Sequence, residues 1–149
     1  MDMTTIISIA LSYLATVAFG ILINIPRKAL HSCGLVGAFG WAIYLAIKAI
    51  TFGVMLANVC SAFAIGIGAM MAAQRHRMPM ILFNIPSLVP LVPGGQAYRA
   101  VQNFALGNND LAIEYLIQVT MIAAAIAMGF LVAEIIAQAY FKFWTKQKR

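Results

Sequence analysis

The chain has 149 residues, 63% of them hydrophobic and only 9% charged, with ten Lys or Arg against four Asp or Glu for a net of +6. A soluble domain carries about 25% charged and roughly 45–50% apolar residues, so this composition cannot cover a water-facing surface and excludes a soluble enzyme, a disordered regulator and a nucleic-acid binder. The positive residues sit between long apolar runs, where they set topology across a bilayer, and the chain reads as an all-α integral membrane protein.

Five stretches carry no charge: 3–26, 29–47, 49–74, 78–98 and 115–133. A hydrocarbon core of roughly 30 Å takes about 20 helical residues. Spans are therefore predicted over about 4–24, 30–50, 54–74 and 111–141, with a discontinuous fourth segment over 78–107. That gives about five transmembrane segments in a single transmembrane domain, 1–149, ending in a basic tail over 142–149. Continuous apolar runs, without alternation, exclude a barrel. Met1-Asp2-Met3 places no Lys or Arg before the first run, so that run reads as a retained helix and not a secretory signal.

Along the chain, the second helix offers the small residues Cys33, Gly37 and Gly40, and the third offers Ala62 with Gly66 and Ala69 with Ala73. The last offers Ala125, Gly129 and Ala133. Such spacing lets backbones approach in lipid, and both intrachain packing and a subunit interface use it. The short Thr51-Phe52-Gly53 connection makes helices two and three a hairpin. Cys33 and Cys60 read as packing residues, because no second ligand stands at metal spacing. Asn24 and Asn58, near helix ends, read as caps or interhelical bonds, and His31 and His76 as solvated groups.

The fourth segment contains Pro79, Pro86, Pro90 and Pro93, followed at once by Gly94 and Gly95. Each proline lacks an N–H and clashes with the preceding turn, so an unbroken helix is not expected. Residues 96–107 return to an amphipathic helical pattern, with Gln96, Arg99, Gln102 and Asn103 opposite Ala97, Val101 and Phe104. Irregular backbone at membrane depth is tolerated where protein buries it or it lines a wet cavity. A half-helix starting there presents free N–H groups to an anion, here Gly94 and Gly95 with Arg99 one turn on. A substrate carboxylate is the expected guest, with Asn84 inside the same segment. The alternative is a proline-rich loop with Arg99 facing water or headgroups.

In the last helix Glu114 and Glu134 stand twenty positions, hence about 200°, apart and cannot serve one site. Glu134 is the deeper. An intramembrane carboxylate points to proton coupling; the alternative is pairing with Lys or Arg at the membrane surface. No metal cluster, nucleophile triad or phosphate loop is present, so no cofactor, no metal and no enzymatic activity are expected. If the clusters Arg27-Lys28, Arg75-His76-Arg77 and Lys142, Lys146, Lys148, Arg149 all lie inside, eight of ten positive residues are cytoplasmic. The N-terminus is then outside with Asp2, Asp110 and Glu114, Lys48 snorkels outward, and Tyr140 and Trp144 join the inner aromatic belt.

Asn24-Ile25-Pro26-Arg27-Lys28-Ala29-Leu30 running into Cys33, Gly37 and Gly40 resembles the small subunit of the threonine/serine exporter family. So does Pro79 followed by Pro86, Pro90-Leu91-Val92-Pro93-Gly94 and Tyr98. This subunit corresponds to the C-terminal membrane half of the fused exporters, and the similarity covers nearly the whole chain. The resemblance implies a bacterial cytoplasmic-membrane secondary transporter that exports small hydroxylated amino acids on the proton gradient, or in some members a dicarboxylate such as succinate. It also implies a larger partner subunit with a soluble N-terminal domain and five spans of its own. Asn24, Pro26, Pro90, Pro93, Gly94 and Tyr98 carry the motif. Independently, five helices are few for an alternating-access path, which usually needs two repeats; a homo-oligomer is the other assembly that could supply them. The competing reading is a non-transporting membrane scaffold.

Overall fold

The computed structural model describes residues 3–50 and 53–147, with 140–147 as backbone alone. Asp2, the Thr51-Phe52 pair, Lys148 and Arg149 lie outside the described residues, as do the side chains of Tyr140, Lys142, Trp144 and Lys146. The elements are α1 (Met3–Leu22), α2 (Arg27–Ile50), α3 (Val54–His76), α4 (Ile81–Leu88), α5 (Gly94–Ala105) and α6 (Asn109–Gln147), with a 3-10 turn at Val89–Leu91. Among the described residues there is no strand, as the unalternating apolar runs predict. Four helices are long and apolar enough to cross a membrane, α1, α2, α3 and Asn109–Ala139 of α6, and Ile81–Leu91 forms a shorter apolar helix.

Three helix ends use one backbone device. Asn24 has φ 61, its N–H donates to Ile21 O at 3.0 Å, and the Ile25 N–H donates to Gly20 O at 2.9 Å. These bonds close α1 in a Schellman turn, and Pro26, with its fixed φ, then opens α2. The Asn24-x-Pro26 motif is thus a stop followed by a start. Arg77 (φ 53) ends α3 with Met78 N–H on Ala73 O, and Gly107 (φ 80) ends α5 with Asn108 N–H on Asn103 O.

Helix α2 is the hub. Serine hydroxyls from three neighbours donate to its main chain: Ser12 of α1 to Gly37 O at 3.3 Å, Ser61 of α3 to Gly40 O at 2.6 Å, and Ser87 of α4 to Cys33 O at 3.1 Å. The small residues at 33, 37 and 40 make this possible by admitting the neighbouring backbones. A Cβ added at Gly37 would strike Thr16, and one at Gly40 would strike Ile65. The other small-residue stripe also closes inside the chain. Gly66 faces Ala133, and Gly129 faces the Val59 carbonyl and Ala62, so α3 and α6 run parallel in direct contact.

His76 is not simply solvated. It shares a 2.7 Å hydrogen bond with Ser32 and stacks on Phe83, tying the basic ends of α2 and α3 to α4. Helix α4 packs against α1, α2 and α3, whereas α5 packs chiefly on α6. With 39 residues, α6 is ~58 Å long, far more than a bilayer core needs. Its Ile122 and the first residue of α3, Val54, line one cavity, so the 109–121 stretch and α5 project ~20 Å past that end of α3 as a helical arm.

An interrupted segment between two cavities

Pro86 does not break α4. Its missing N–H frees the Leu82 carbonyl, and the Cys33 thiol donates to that carbonyl at 3.6 Å while the Cys33 carbonyl accepts from Ser87. A reciprocal pair of bonds from α2 therefore carries the helix through the proline. The interruption comes at Val89–Pro93 instead. Pro90 tightens the backbone into a 3-10 turn, and Val92 is extended (φ −63, ψ 127), as a residue before proline prefers. The Gly94 N–H turns back onto Val92 O at 2.8 Å, and Ala97 N–H on Pro93 O begins α5. The amides of Gly95 and Gln96 then stand in the open first turn, as orphan donors do at any helix start.

Two cavities flank this segment. The far one, about 180 Å³, lies among Trp41, Tyr44, Asn58, Gln96 and the Pro90–Pro93 turn. The Trp41 Nε1–H is buried without an acceptor; a buried unpaired donor costs ~1–3 kcal/mol. Its ring stacks on Tyr44 at 5.0 Å, and the Lys48 ammonium stands 5.7 Å from the centre of the Tyr44 ring. Asn58 is buried, with its amide nitrogen on Val54 O at 2.8 Å. The open main-chain amides at the start of α5 stand at the positive end of its dipole, beside this cavity.

The second is a cleft of about 280 Å³ between α4 and α6, with Asn84, Leu88, Phe130 and Glu134 in its wall. The Asn84 Oδ1 atom is buried and accepts nothing. Glu134 follows Ala133, which faces Gly66 midway along α3. Its described polar partner is Gln138, at 3.5 Å. This carboxyl thus stands level with the middle of α3.

The structure divides the residues that sequence reasoning grouped. Pro90 and Pro93 line the far cavity, and Gly94 and Gly95 follow at the exposed start of α5. Asn84 belongs to the cleft. The Arg99 guanidinium lies 5.9 Å from the Tyr115 ring centre, two turns before Ile122, and Tyr98 is exposed on α5. Asn24 and Pro26 form the α1–α2 turn. Trp41, Tyr44 and Gln96 were missed; an indole N–H in the middle of a membrane span was the available signal for Trp41. Among the described residues no group of His, Cys, Asp or Glu could hold a metal, and both cysteines are free.

A family model described as threonine/serine exporter, ThrE, matches residues 8–136. A probable threonine/serine exporter of Mycobacterium tuberculosis is 22% identical over 138 residues, covering 92% of this chain and 26% of that protein. An uncharacterized protein of Haemophilus influenzae is 26% identical over 121 residues, covering 76% of this chain and 41% of that protein. The chain thus spans less than half the length of these relatives. No solved structure matches.

Proposed function

The chain belongs to the threonine/serine exporter family, and from that premise we propose that it is the small membrane subunit of a secondary transporter exporting threonine, serine or a related small carboxylate. The observation that carries this reading is the interrupted segment itself, whose Pro90–Pro93 turn and following Gln96 line a cavity with Trp41, Tyr44 and Asn58. The open first-turn amides of α5 are the donors that a guest carboxylate would meet there. Gly94 and Gly95 support the same reading. A Cβ at either meets nothing within 4 Å and neither has a positive φ, so neither packing nor backbone conformation inside this chain requires glycine there. Close approach of something outside the chain does.

The partner we propose is a larger membrane subunit seated on the arm. The greater length of the relatives supports this, as do the exposed Tyr98, Val101, Phe104 and Ile117 of α5 and α6. Basic clusters at the shared end of α1, α2 and α3 favour a bacterial inner membrane with the N-terminus outside and the C-terminus cytoplasmic. Efflux of threonine, serine and succinate from cells producing the chain with the larger subunit, against cells lacking either, tests the assignment. At least one should leave severalfold faster. Equal efflux of all three overturns it.

A further inference from the structure

We propose that a groove between α2 and α3, at the basic end of the bundle, binds one anionic phospholipid, with the phosphate on Arg75 and an acyl chain between Leu35 and Met71. The site needs a bilayer and not a transport path. The groove holds about 560 Å³. Contacts step in opposite directions along its two helices: Gly40 meets Ile65, Val36 meets Gly68, and Ser32 bonds His76. The helices are thus antiparallel, and the groove wall is sorted by depth. Nearest the helix ends stand Ser32, Gln74 and Arg75; deeper stand Leu35, Val36, Met71 and Ala72. Val36 and Ala72 are buried and form the floor, while Leu35 and Met71 are exposed rims. Polar groups at the helix ends with an apolar channel below them follow the order of a phospholipid, headgroup at the interface and chain in the hydrocarbon.

Exposed apolar rims alone would accept any lipid; charge selects the anionic one. Arg27, Lys28, Arg75 and Arg77 gather at this end, and residues 135–149 add further Lys and Arg but no Asp or Glu. The four acidic residues belong elsewhere in the chain. Asp110 and Glu114 are on the arm, and Asp2 precedes Met3, which opens α1 at the opposite end from Arg27. Glu134 lines the α4–α6 cleft, about 12 Å deeper than Arg75 along the helix axis. A lipid phosphate supplies the missing counter-charge, as basic pockets between membrane helices do for anionic headgroups. The Arg75 guanidinium offers that phosphate two parallel N–H donors, and the Gln74 amide adds a neutral one.

The two helices are held at fixed spacing there. The 2.7 Å bond between Ser32 and His76 pins the upper end of the groove, and Val36 against Gly68 closes it below. Lys28, one turn before Ser32 on the same stripe of α2, stands on the headgroup side. Arg27 belongs to another stripe, with His31 and Gly34, which both meet Tyr13 of α1. It carries the same charge beside a different helix, and so serves as the control.

The test titrates the full chain in detergent micelles with phosphatidylglycerol or with phosphatidylcholine of the same acyl chains, and counts bound lipid by native mass spectrometry. One phosphatidylglycerol per chain should be retained at about tenfold lower concentration than phosphatidylcholine. Arg75→Gln should bring the two lipids within about twofold, whereas Arg27→Gln, with the same loss of charge, should keep the preference. Ala72→Leu fills the floor with every charge intact and should weaken phosphatidylglycerol retention about fivefold or more; Met71→Ser, on the exposed rim, should weaken it too and does not depend on repacking the floor. Inorganic phosphate in tenfold excess over the lipid should displace none of it. Equal retention of the two lipids leaves an ordinary lipid-facing surface, equal losses in Arg75→Gln and Arg27→Gln a diffuse charge effect, and displacement by phosphate a free-anion site. Each of these overturns the proposal, as does unchanged retention in both Ala72→Leu and Met71→Ser.

Discussion

The bundle around α2 and the arm formed by α5 with the first turns of α6 use similar residues to opposite ends. In the bundle, glycines at 37, 40, 66 and 129 each face a neighbouring helix, and three serines bond the main chain of α2. In the arm, Gly94 and Gly95 face open space, Tyr98 and Val101 are both 68% exposed, and the Gln96 and Ala100 side lies toward α6. An amphipathic helix that turns its apolar face outward is built for lipid or a partner. The contrast separates residues that hold the fold from residues that await something outside the chain.

The largest expected effect falls in the bundle. Gly129→Val would drive a side chain into the Val59 carbonyl and Ala62. Overpacking of this kind costs ~1–3 kcal/mol, and here the obstacle is backbone, which places the loss at the upper end or beyond. Unfolding of the purified protein in mixed micelles should show a sharply lower midpoint, with Gly129→Ala between it and the parent. An unchanged midpoint for valine would mean that α3 and α6 do not meet through their main chains.

Valine at Gly94 or Gly95 should do the reverse. With no atom near an added Cβ, the unfolding midpoint should shift by less than ~1 kcal/mol in stability, since leaving glycine is neutral or favourable within a helix. Efflux in the paired transporter should nevertheless fall at least tenfold. If both variants transport normally, the open glycines face only lipid and the contrast between bundle and arm carries no functional meaning.

What the sequence revealed and what it hid follow the same division. Four long helices were readable because charge-free runs of membrane length have few other solutions. Pro86 read as a breaker because the rule is local, while its remedy, the Cys33 thiol on Leu82 O, arrives from 49 positions away. The last helix was readable over 111–141 and runs somewhat further, from Asn109 to Gln147; what no charge-free run showed is that α5 packs beside it. The far cavity was half legible: Pro90 and Pro93 announced it, but Trp41 and Tyr44 come from a helix whose register against the fourth segment no single-chain pattern encodes.

The smallest effect tests whether a family motif marks a site or a turn. Asn24 is left-handed at φ 61 and exposed, and its main chain closes α1. Glycine adopts that conformation freely, so Asn24→Gly should hold stability within ~0.5 kcal/mol, the scale of an exposed change away from special features. Asn24→Val should lose ~1–2 kcal/mol, the cost of the left-handed region for a side chain with a Cβ. In both, efflux should follow stability alone. If Asn24→Gly keeps its unfolding midpoint and loses efflux, the amide touches a guest or a partner. The motif would then belong with the arm's open glycines, despite its place in the bundle.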